Sequence, residues 1–527
     1  MGKYLGVGNA GFASMIKGIY VDKTEMIKFI NSTLGTTRKL TCVSRPRRFG
    51  KSFAAKMLCA YYDKSCNSRE LFEGLDIAKE DSFEKYLNKY DVIYLDITLF
   101  ISKTPDIRDV VQNINDAVVE EVGRMYPGIK RDHALADILF HVTEETGNRF
   151  IVIIDEWDAL FREAKDDTKI QKEYIDLLRS LFKSSWTDTI FEAAYMTGIL
   201  PIKKYGNHSA VSDFREYTML SPGNLAKYIG FTELEVRDLC EKYGADFSQM
   251  KYWYDGYTFR HLKSVYSPNS VIEALERDEF GSYWARTETY ESLKIYIDLN
   301  EDGLKEAIVQ MLGGERVTVD VGTFQNDMTN IKRRDDVLTL LIHLGYLAYD
   351  TEKKETFIPN EEVKQEFIRA ITASKHTEIA KLIDNSDNLI KQTLNMNEKA
   401  VAEAIEEAHK ICAAPIVYNN EEALRCSIRI AYISCMDEYI TIDELPSGHG
   451  YADIVFVPKG ASSMPVMLVE LKWNQTSSGA IEQIKRNDYP QVLKNFGRDI
   501  LLVGINYDVK SKKHTCKIEK YIDMENK

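Results

Sequence analysis

Short runs of apolar residues alternate with stretches of helical periodicity in the first part of the chain. The apolar runs cover residues 40–43, 91–97, 150–154 and 190–197. They predict buried strands, because they are short, rich in β-branched residues and bounded by polar positions. Helical spacing follows at residues 52–58 and 107–126. Strands that alternate with helices predict a parallel sheet with helices on both of its faces.

The pattern changes in the middle of the chain. Helical periodicity at residues 304–312 and 335–344 is followed by a predicted hairpin at 345–349 and 355–358. Helices followed by a hairpin are typical of a winged helix, a module that can bind DNA. The basic run at 332–334 keeps that option open. The acids and the leucine-rich face of the second helix instead favour packing against protein.

A further segment of mixed helices and strands begins near residue 385. Helices are predicted at 402–410 and from 419, strands at 450–456 and 466–473, and another helix from 480. The chain therefore divides into three predicted segments, which are residues 1–225, 226–384 and 385–527.

Composition indicates a soluble globular protein. The chain has 527 residues, of which 44% are hydrophobic and 28% are charged, enough for about three or four domains. Its net charge of −13 argues against a protein that coats nucleic acid without specificity. Eight scattered cysteines without a Cys-x-x-Cys pair favour reduced thiols and a cytoplasmic location. No leader peptide and no run of 18 apolar residues is seen, so neither export nor a membrane span is expected.

A phosphate-binding loop, residues 45–52, lies between the first predicted strand and its helix. Gly50 allows backbone N–H groups to approach phosphates, Lys51 can reach the β- and γ-phosphates, and Ser52 can offer its hydroxyl to Mg²⁺. Arg45 stands where the usual spacing has a first glycine, so the loop is a variant. The expected contacts to ATP are made by Arg47, Arg48, Phe49, Gly50, Lys51 and Ser52.

Two carboxylates follow the third apolar strand. Asp155 would hold Mg²⁺ and Glu156 would polarise the attacking water, because ligands of parallel sheets bind at the carboxyl ends of the strands. A solvent-exposed strand end is the alternative. Thr197, at the end of the next strand, stands where a polar sensor of the γ-phosphate is expected, although a plain strand-end threonine fits the pattern equally well.

Two other segments leave alternatives open. Residues 18–30 can fold over the adenine base or form a capped surface helix. The aromatic cluster at 251–259 surrounds an Asp-Gly turn and is followed by Tyr-Ser-Pro-Asn-Ser at 266–270. Stacking on a base is conceivable for this cluster, but aromatic residues beside a turn are more often packing residues, and we favour packing.

The predicted C-terminal strands bring a second set of charged residues together. Pairing of the two strands places Asp453 beside Glu470, and alternation puts Glu470 and Lys472 on one face. Two carboxylates beside a lysine can form a Mg²⁺ site with a cation that orients or activates water against a phosphodiester. A retained but inactive fold is the alternative.

Residues on two predicted helices could complete this site. Glu421 or Glu422 at a helix start could supply a further metal ligand, and Gln483 could point toward the same face from the last helix. No competing catalytic set is seen in the sequence, since the nine histidines are dispersed and neither His-Glu-x-x-His nor Gly-x-Ser-x-Gly occurs.

Three of these motifs together resemble the bacterial AAA-ATPase-like family. They are Tyr-Val-Asp-Lys-Thr at 20–24, the arginine-containing loop at 45–52 and Ile-Asp-Glu at 154–156. That family typically carries a PD-(D/E)xK nuclease-like domain at its C-terminus, and its loop also contains arginine. The resemblance implies an α/β fold class with an AAA-type, additional-strand P-loop domain, a helical and winged-helix-like middle segment, and a C-terminal restriction-endonuclease-like domain. It also favours Glu422 over Glu421 as the first nuclease carboxylate.

The implied function is an ATPase whose nucleotide state gates a Mg²⁺-dependent nuclease acting on nucleic acid, with DNA favoured over RNA. The alternative is a nucleotide-dependent switch whose inactive C-terminal domain only binds a protein or nucleic-acid partner. A homo-oligomer is an option, since oligomeric ATPases use an arginine in trans. Arg215 and Arg260 are both candidates, and the sequence does not choose between them. Contact with a membrane is not expected.

Overall fold

The structure, a computed structural model, describes most of the chain. The described residues are 2–130, 134–202, 204–205, 208–209, 211, 213–284, 293–294, 297–298, 303–324, 333–373, 377–413, 421–447, 450–459, 464–487, 489–493 and 499–521. They fall into two compact units, of which the first comprises Met1–Trp284 and Thr318–Glu362 and the second comprises Ala285–Val317 and Val363–Lys527. The predicted middle segment, 226–384, is therefore divided between the two units.

A parallel sheet forms the centre of the first unit. Its strands are β1 (Leu40–Ser44), β2 (Asp91–Asp96), β3 (Phe150–Asp155), β4 (Phe191–Gly198) and β7 (Arg215–Tyr217). A small antiparallel hairpin of β5 (Lys204–Tyr205) and β6 (His208–Ser209) precedes the last of them. The strand order is β2-β3-β4-β1-β7. Since β4 lies between the loop strand β1 and the carboxylate strand β3, the sheet has the predicted additional-strand arrangement.

The strands of this sheet form because their apolar runs are buried on both faces. Every residue of β1 and β3 is buried, as expected of strands covered by helices on either side. The helices along this part of the chain are α1 (Ala10–Met15), α2 (Glu25–Asn31), α3 (Lys51–Tyr62), α4 (Arg69–Phe72), α5 (Phe83–Tyr86), α6 (Ile97–Lys103), α7 (Val110–Met125), α8 (Leu135–Thr146), α9 (Ala159–Glu163), α10 (Thr168–Phe182) and α11 (Thr187–Ile190).

Smaller strands and helices follow the parallel sheet in the first unit. They are β8 (Phe231–Thr232), α12 (Glu233–Tyr243), α13 (Phe247–Tyr254), β9 (Tyr257–Phe259), β10 (Leu262–Tyr266) and α14 (Pro268–Arg277). The three strands form an antiparallel sheet in the order β8-β10-β9. Trp253, Tyr254, Tyr257 and Phe259 are all buried. The packing interpretation of the aromatic cluster is therefore confirmed.

The helices and the hairpin predicted between residues 304 and 358 all occur. The elements in this part of the chain are α15 (Leu304–Leu312), β11 (Val317–Thr318), α16 (Arg334–Leu344), β12 (Ala348–Asp350), β13 (Glu355–Phe357) and α17 (Glu361–Thr372). α15 belongs to the second unit, whereas α16 and the β12–β13 hairpin belong to the first. The elements whose order along the chain suggests a winged helix are thus divided between the two units.

The second unit contains a mixed five-stranded sheet. Its strands are β14 (Tyr439–Ser447), β15 (Gly450–Pro458), β16 (Val466–Trp473), β17 (Ile500–Asp508) and β18 (Lys513–Lys520), in sequential order. All neighbours are antiparallel except β16 and β17, which run parallel. The helices of this unit, besides α15 and most of α17, are α18 (Thr377–Leu394), α19 (Glu398–Ala413), α20 (Glu421–Ala431), α21 (Cys435–Glu438), α22 (Ser477–Arg486) and α23 (Tyr489–Leu493).

Gly504 in β17 lets α22 lie close against this sheet. A Cβ atom at this position would lie 2.3 Å from the carbonyl oxygen of Ser477 and 3.0 Å from the Cβ of Ala480. Gly504 is also the register partner of Glu470 in β16. The glycine therefore determines how near α22 comes to the strand that carries Glu470.

None of the helices within the described ranges is both long enough and apolar enough to cross a lipid bilayer.

We predict that Gly504→Ala destabilises the protein by about 1–3 kcal/mol, because the added methyl group would overpack the contact between β17 and α22. Denaturant-induced unfolding measures this change. Gly74→Ala is the matched control, since a Cβ atom there would meet no atom within 4 Å. Equal stability of the two variants would contradict the close packing described above.

Candidate functional sites

The phosphate-binding loop leads from β1 into α3 through two residues in the left-handed region. Arg48 has a φ of 64° and Gly50 a φ of 91°. Because Ala54 N–H donates to the Gly50 carbonyl at 3.0 Å, the helix begins directly after the glycine. The first N–H groups of a helix have no acceptor within it and form a natural anion site. The loop thus presents the N-terminus of α3 as the sequence predicts.

Lys51 is held between the loop and the end of β3. Its side chain is buried, and its Nζ donates to the Pro46 carbonyl at 2.9 Å. The same Nζ lies 3.6 Å from Glu156 Oε1. The predicted phosphate lysine and the predicted water-polarising carboxylate are therefore direct neighbours.

Asp155 lies at the end of β3, and its carboxylate accepts hydrogen bonds from side chains of both neighbouring strands, β2 and β4. The Thr197 hydroxyl of β4 donates to Asp155 Oδ1, and the Tyr94 hydroxyl of β2 donates to Oδ2 at 3.1 Å. Burial, and then the Asp155 carboxylate, raise the pKa of Tyr94. The structure thus brings the two predicted residues together, and it adds Tyr94, which sequence reasoning missed because its position on β2 resembles any other strand position.

Glu156 takes a left-handed backbone conformation, with a φ of 53°, and faces two cations. Its Oε2 accepts from Arg162 Nη2, while Lys51 approaches Oε1. Although burial raises the pKa of Glu156, the cations Lys51, Arg162 and Arg47 together lower it by more, so that the net shift is downward. Glu156 is therefore ionised, as a group that orients water must be.

Arg162 also links Glu156 to the segment that follows β4. Its Nε lies 3.3 Å from Asp158 Oδ2, which accepts the N–H groups of Ile199 at 3.2 Å and Leu200 at 2.9 Å. Sequence reasoning missed both Asp158 and Arg162. Their i, i+4 spacing after a strand end is the one local signal that indicates an ion pair.

Arg45, at the position of the usual first glycine, points away from the phosphate side of the loop. It is fully buried, its Nη1 donates to the carbonyls of Ser44 at 3.1 Å and Tyr217 at 3.3 Å, and its guanidinium lies 5.0 Å from the ring centre of Phe259. Burial lowers the pKa of Arg45 to about 9. The arginine is therefore part of the support beneath the loop.

A cavity of about 430 Å³ opens beside the loop in the first unit. Its lining includes all six predicted ATP contacts of the loop together with Glu156, but neither Asp155 nor Thr197, which are buried behind it. The N-terminal segment lines the same cavity, as one of the two interpretations of residues 18–30 requires. The cavity thus combines a cationic loop, a carboxylate and a separate apolar wall.

The second unit brings together the predicted carboxylates and lysine. Glu470 is 1% exposed, and its Oε1 accepts from Lys472 Nζ at 3.4 Å and from Gln483 Nε2. Asp453 accepts the N–H of Leu471 at 2.8 Å through Oδ2. All four predicted side chains therefore belong to one cluster. β15 and β16 supply three of them, and α22 supplies Gln483.

Arg425 is a member of this cluster that sequence reasoning missed. It lies on α20, and its Nη2 donates to Asp453 Oδ1 at 2.9 Å. No local pattern distinguishes it from the other polar residues of that helix. Its guanidinium partly neutralises a carboxylate that would otherwise lie beside Glu470 without a cation.

The donor set of this cluster fits a divalent cation. Within the described part of the chain, Glu470 Oε2 is buried and has no hydrogen-bond partner. Burial, and then the Asp453 carboxylate, raise the pKa of Glu470 to about 8. A cation with oxygen ligands would satisfy both the free oxygen atom and the pair of carboxylates.

The side chains of Glu421 and Glu422 lie outside the described part of the structure. Their backbone forms the start of α20, and Glu422 precedes Arg425 by one helical turn. Among the side chains that are described, no three His, Cys, Asp or Glu residues are grouped as a metal site. A third carboxylate from α20 therefore stays a prediction.

Two family models match parts of the chain. Residues 6–206 match the AAA-ATPase-like family model, described as a predicted AAA-ATPase. Residues 419–517 match the model of the PD-(D/E)XK nuclease superfamily. The first match includes the loop and the β3 carboxylates, and the second includes the whole cluster around Glu470. The chain thus carries an AAA-ATPase-like domain and a C-terminal domain of the nuclease superfamily, and the resemblance stated above is confirmed.

Individual relatives are distant. A protein of Azotobacter chroococcum mcd 1, described as an uncharacterized protein in the vnfD 5' region, is 21% identical over 530 residues, with 96% of each sequence covered. The Aeropyrum pernix ORC2 protein in ADPNP-ADP complexes is 13% identical, with a TM-score of 0.29 over 67% of this chain and 96% of that chain. AMPPCP-bound DnaA from Aquifex aeolicus is 11% identical, with a TM-score of 0.25 over 55% and 78% of the two chains.

We expect Glu470→Gln to change how stability depends on pH. With a folded-state pKa of about 8, Glu470 keeps a proton that the unfolded chain releases above about pH 4.3. Between about pH 5 and pH 8, the wild type should therefore lose stability relative to the variant as the pH rises. In thermal unfolding with EDTA present, the Tm of the wild type should fall by at least about 3 °C relative to that of the variant over this pH range. Parallel pH curves would contradict the raised pKa.

Removing Arg425 should strengthen the binding of divalent cations, because its guanidinium occupies Asp453 Oδ1. A hydrogen bond to a charged group contributes about 1.5–3 kcal/mol, so Arg425→Met should lower the Kd for Mn²⁺ by roughly tenfold or more. Calorimetric titration of the full chain measures this change. Arg486→Met, at an exposed position of α22, is the control. Weaker binding in Arg425→Met would show instead that Arg425 supports the cation site.

Proposed function

We propose that this chain binds and hydrolyses ATP, and that its nucleotide state gates a Mg²⁺-dependent nuclease domain acting on nucleic acid. The observation that carries the nuclease part is the buried cluster in the second unit. Glu470, whose Oε2 has no hydrogen-bond partner among the described residues, lies among Asp453, Lys472 and Gln483. Burying a carboxylate in this way is costly, and packing of the sheet does not require it.

In the ATPase part, the loop would bind the phosphates and the strand ends would organise the hydrolysis. The N–H groups at the start of α3 and Lys51 would hold the β- and γ-phosphates, and Ser52 with Asp155 would hold Mg²⁺. Thr197, which already donates to Asp155, would sense the γ-phosphate. The phosphates would also contact Arg47, Arg48 and Phe49, which line the cavity.

The contacts of Glu156 suggest how a nucleotide would activate the site. Lys51 and Arg162 both pair with Glu156 in the structure. A γ-phosphate would attract Lys51 and weaken its pairing with Glu156. The carboxylate could then accept a proton from the attacking water and orient it, while Arg162 would keep the side chain in place.

In the nuclease part, Glu422, Asp453 and Glu470 would hold Mg²⁺. The bound cation would supply Lewis-acid stabilisation to the phosphodiester and lower the pKa of a water ligand. Lys472 would orient the water nucleophile or stabilise the charge that develops on the phosphate oxygens. Gln483 would keep Glu470 in position through its amide N–H.

Charge and chemistry define the expected partner. The net charge of −13 confines any contact with nucleic acid to local basic positions such as those near Arg425 and Lys472, and such contacts weaken as salt increases. We propose DNA in preference to RNA at the C-terminal domain. We further propose a homo-oligomer, in which an arginine of a neighbouring copy would complete the ATPase site.

One observation favours a second function. Arg425 already donates to Asp453, so the carboxylate has a cation within the protein itself. A C-terminal domain that is neutralised in this way could bind a protein or nucleic-acid partner in a nucleotide-dependent manner without cutting it.

Cleavage assays with full-length protein distinguish the two functions. We expect Asp453→Asn to lose cleavage of DNA by more than about 100-fold in Mg²⁺ or Mn²⁺ while it keeps ATP hydrolysis, because the loss of a metal ligand costs more than the 10–100-fold typical of outer partners. Lys51→Ala should lose ATP hydrolysis and change the rate of cleavage. Asp499→Asn, at an exposed position, is the control for Asp453→Asn.

Each result of this assay has a definite meaning. Cleavage that survives in Asp453→Asn would exclude the proposed nuclease site. Hydrolysis that survives in Lys51→Ala would exclude the proposed ATPase site. ATP hydrolysis without cleavage of any DNA or RNA substrate would favour the second function.

A further inference from the structure

The cavity beside the phosphate loop has an apolar wall distant in sequence from the loop. Ile19 and Val21 from the N-terminal segment and Ile272 from α14 line it, and all three pack on the same hydrophobic cluster. Lys23, which also lines the cavity, is paired with Glu235 at 2.6 Å. Lys23 is therefore engaged by a carboxylate of the protein itself. The apolar wall suits a flat, uncharged group.

Two polar atoms interrupt this apolar wall. Asn269 Nδ2 and Tyr20 Oη are both buried, and neither has a hydrogen-bond partner among the described residues. Both residues line the cavity. A buried polar group that has lost water without gaining a hydrogen-bond partner destabilises the folded chain. A ligand bound in this cavity could supply partners to both atoms.

The fold accounts for the neighbours of Asn269 but not for Asn269 itself. Pro268 is the first residue of α14, where its lack of an N–H is tolerated. Ser270 donates to Glu362 Oε2 at 2.8 Å, and Glu362 Oε1 accepts the N–H groups of Tyr283 and Trp284. The Tyr-Ser-Pro-Asn-Ser motif therefore fixes the start of α14 through its serine and proline. The asparagine is left facing the cavity.

We propose that Asn269 and Tyr20 select the base of the bound nucleotide, and that the selected base is adenine. The inference rests on the proposed binding of ATP to this cavity. The carboxamide of Asn269 would accept from the N6 amino group of adenine and donate to N7, the pairing that an asparagine side chain makes with adenine elsewhere. The Tyr20 hydroxyl would hydrogen-bond the base edge next to it.

The chemistry of this pairing distinguishes adenine from guanine. Guanine presents two acceptors, O6 and N7, where adenine presents a donor and an acceptor. The Asn269 oxygen would therefore face O6 of guanine without a proton between them. The Nδ2 atom of the asparagine in the motif at 266–270 has no partner among the described residues, and the pairing would give it a function in the choice of substrate.

Equilibrium binding to the full chain tests this assignment, with Glu156→Gln as the background to suppress hydrolysis. The ligands are ATP, GTP, inorganic triphosphate, 7-deaza-ATP, which lacks N7, and purine riboside triphosphate, which lacks the amino group. In the background protein, both analogues should bind about tenfold or more weaker than ATP. This result needs no change at Asn269 and so cannot be confused with misfolding.

Variants of the two residues complete the experiment. Asn269→Ala should weaken the binding of ATP roughly ten- to a hundredfold and leave the affinity for inorganic triphosphate unchanged within about twofold. The variant should no longer distinguish ATP from either analogue or from GTP. Asn269→Asp keeps the acceptor and loses the donor. This variant should therefore bind 7-deaza-ATP as well as it binds ATP, but should still bind purine riboside triphosphate more weakly. Tyr20→Phe should give a smaller loss. Glu276→Gln, exposed on α14, is the control.

The outcomes separate this inference from the proposed function. If ATP binding depends on Lys51 but is the same for ATP and both analogues, the assignment of Asn269 is wrong while the ATP site stands. If Lys51→Ala binds ATP as well as the background protein does, the proposed ATP site is wrong and the assignment is wrong with it. Preference for GTP that is lost in Asn269→Ala would overturn adenine as the selected base.

Discussion

The buried guanidinium of Arg45 is the constraint on which the phosphate-binding loop depends. Burying this charge is costly, and two backbone carbonyls and the face of Phe259 offset part of the cost. In a loop with glycine at this position, the backbone alone would have to hold the turn. In this chain the side chain anchors the loop to β7 and β9, so the loop and the aromatic segment of the first unit form one packed structure. Other loop residues show the same dependence, since Phe49 packs edge to face on Tyr257 and Pro46 lies where a side chain on Gly345 would have to fit.

The buried carboxylates of the two sites differ in the partners that surround them. In the first unit, Asp155 is satisfied by two hydroxyl groups and Glu156 by two cations. In the second, Asp453 is held by Arg425 and a backbone N–H, whereas one oxygen atom of Glu470 has no partner in the part of the chain that the structure describes. Buried carboxylates that lie close together cannot all stay ionised without cations. Burial raises the pKa of both Glu156 and Glu470. At Glu156 the neighbouring cations outweigh burial, whereas at Glu470 the Asp453 carboxylate adds to it and Lys472 offsets only part of the rise.

Contacts around the first site also connect Glu156 to the segment that follows β4. Arg162 joins Glu156 to Asp158, and Asp158 accepts the N–H groups that follow β4, the strand of Thr197. A change at the proposed γ-phosphate position would therefore act on Glu156 and on the end of β4 together. On the other side of the cavity, Asn269 and Tyr20 belong to α14 and the N-terminal segment, which pack on a common cluster. Phosphate contacts and base contacts would thus be made by different parts of the first unit.

The sequence by itself determined the features that depend on local patterns. The strands around the loop, the Gly-Lys-Ser turn, the Asp-Glu strand end and the alternation of Glu470 and Lys472 could all be predicted, because strand and helix periodicities place neighbouring residues on known faces. Strands β14, β17 and β18 were not predicted from it. Only the tertiary structure decided the partners of the carboxylates. Tyr94, Arg162 and Arg425 reach them across 61, 6 and 28 positions of the chain, and no local periodicity encodes such contacts. It also decided that Gly504 brings α22 toward Glu470 and that Arg45 turns away from the phosphates, since both depend on which surfaces pack together.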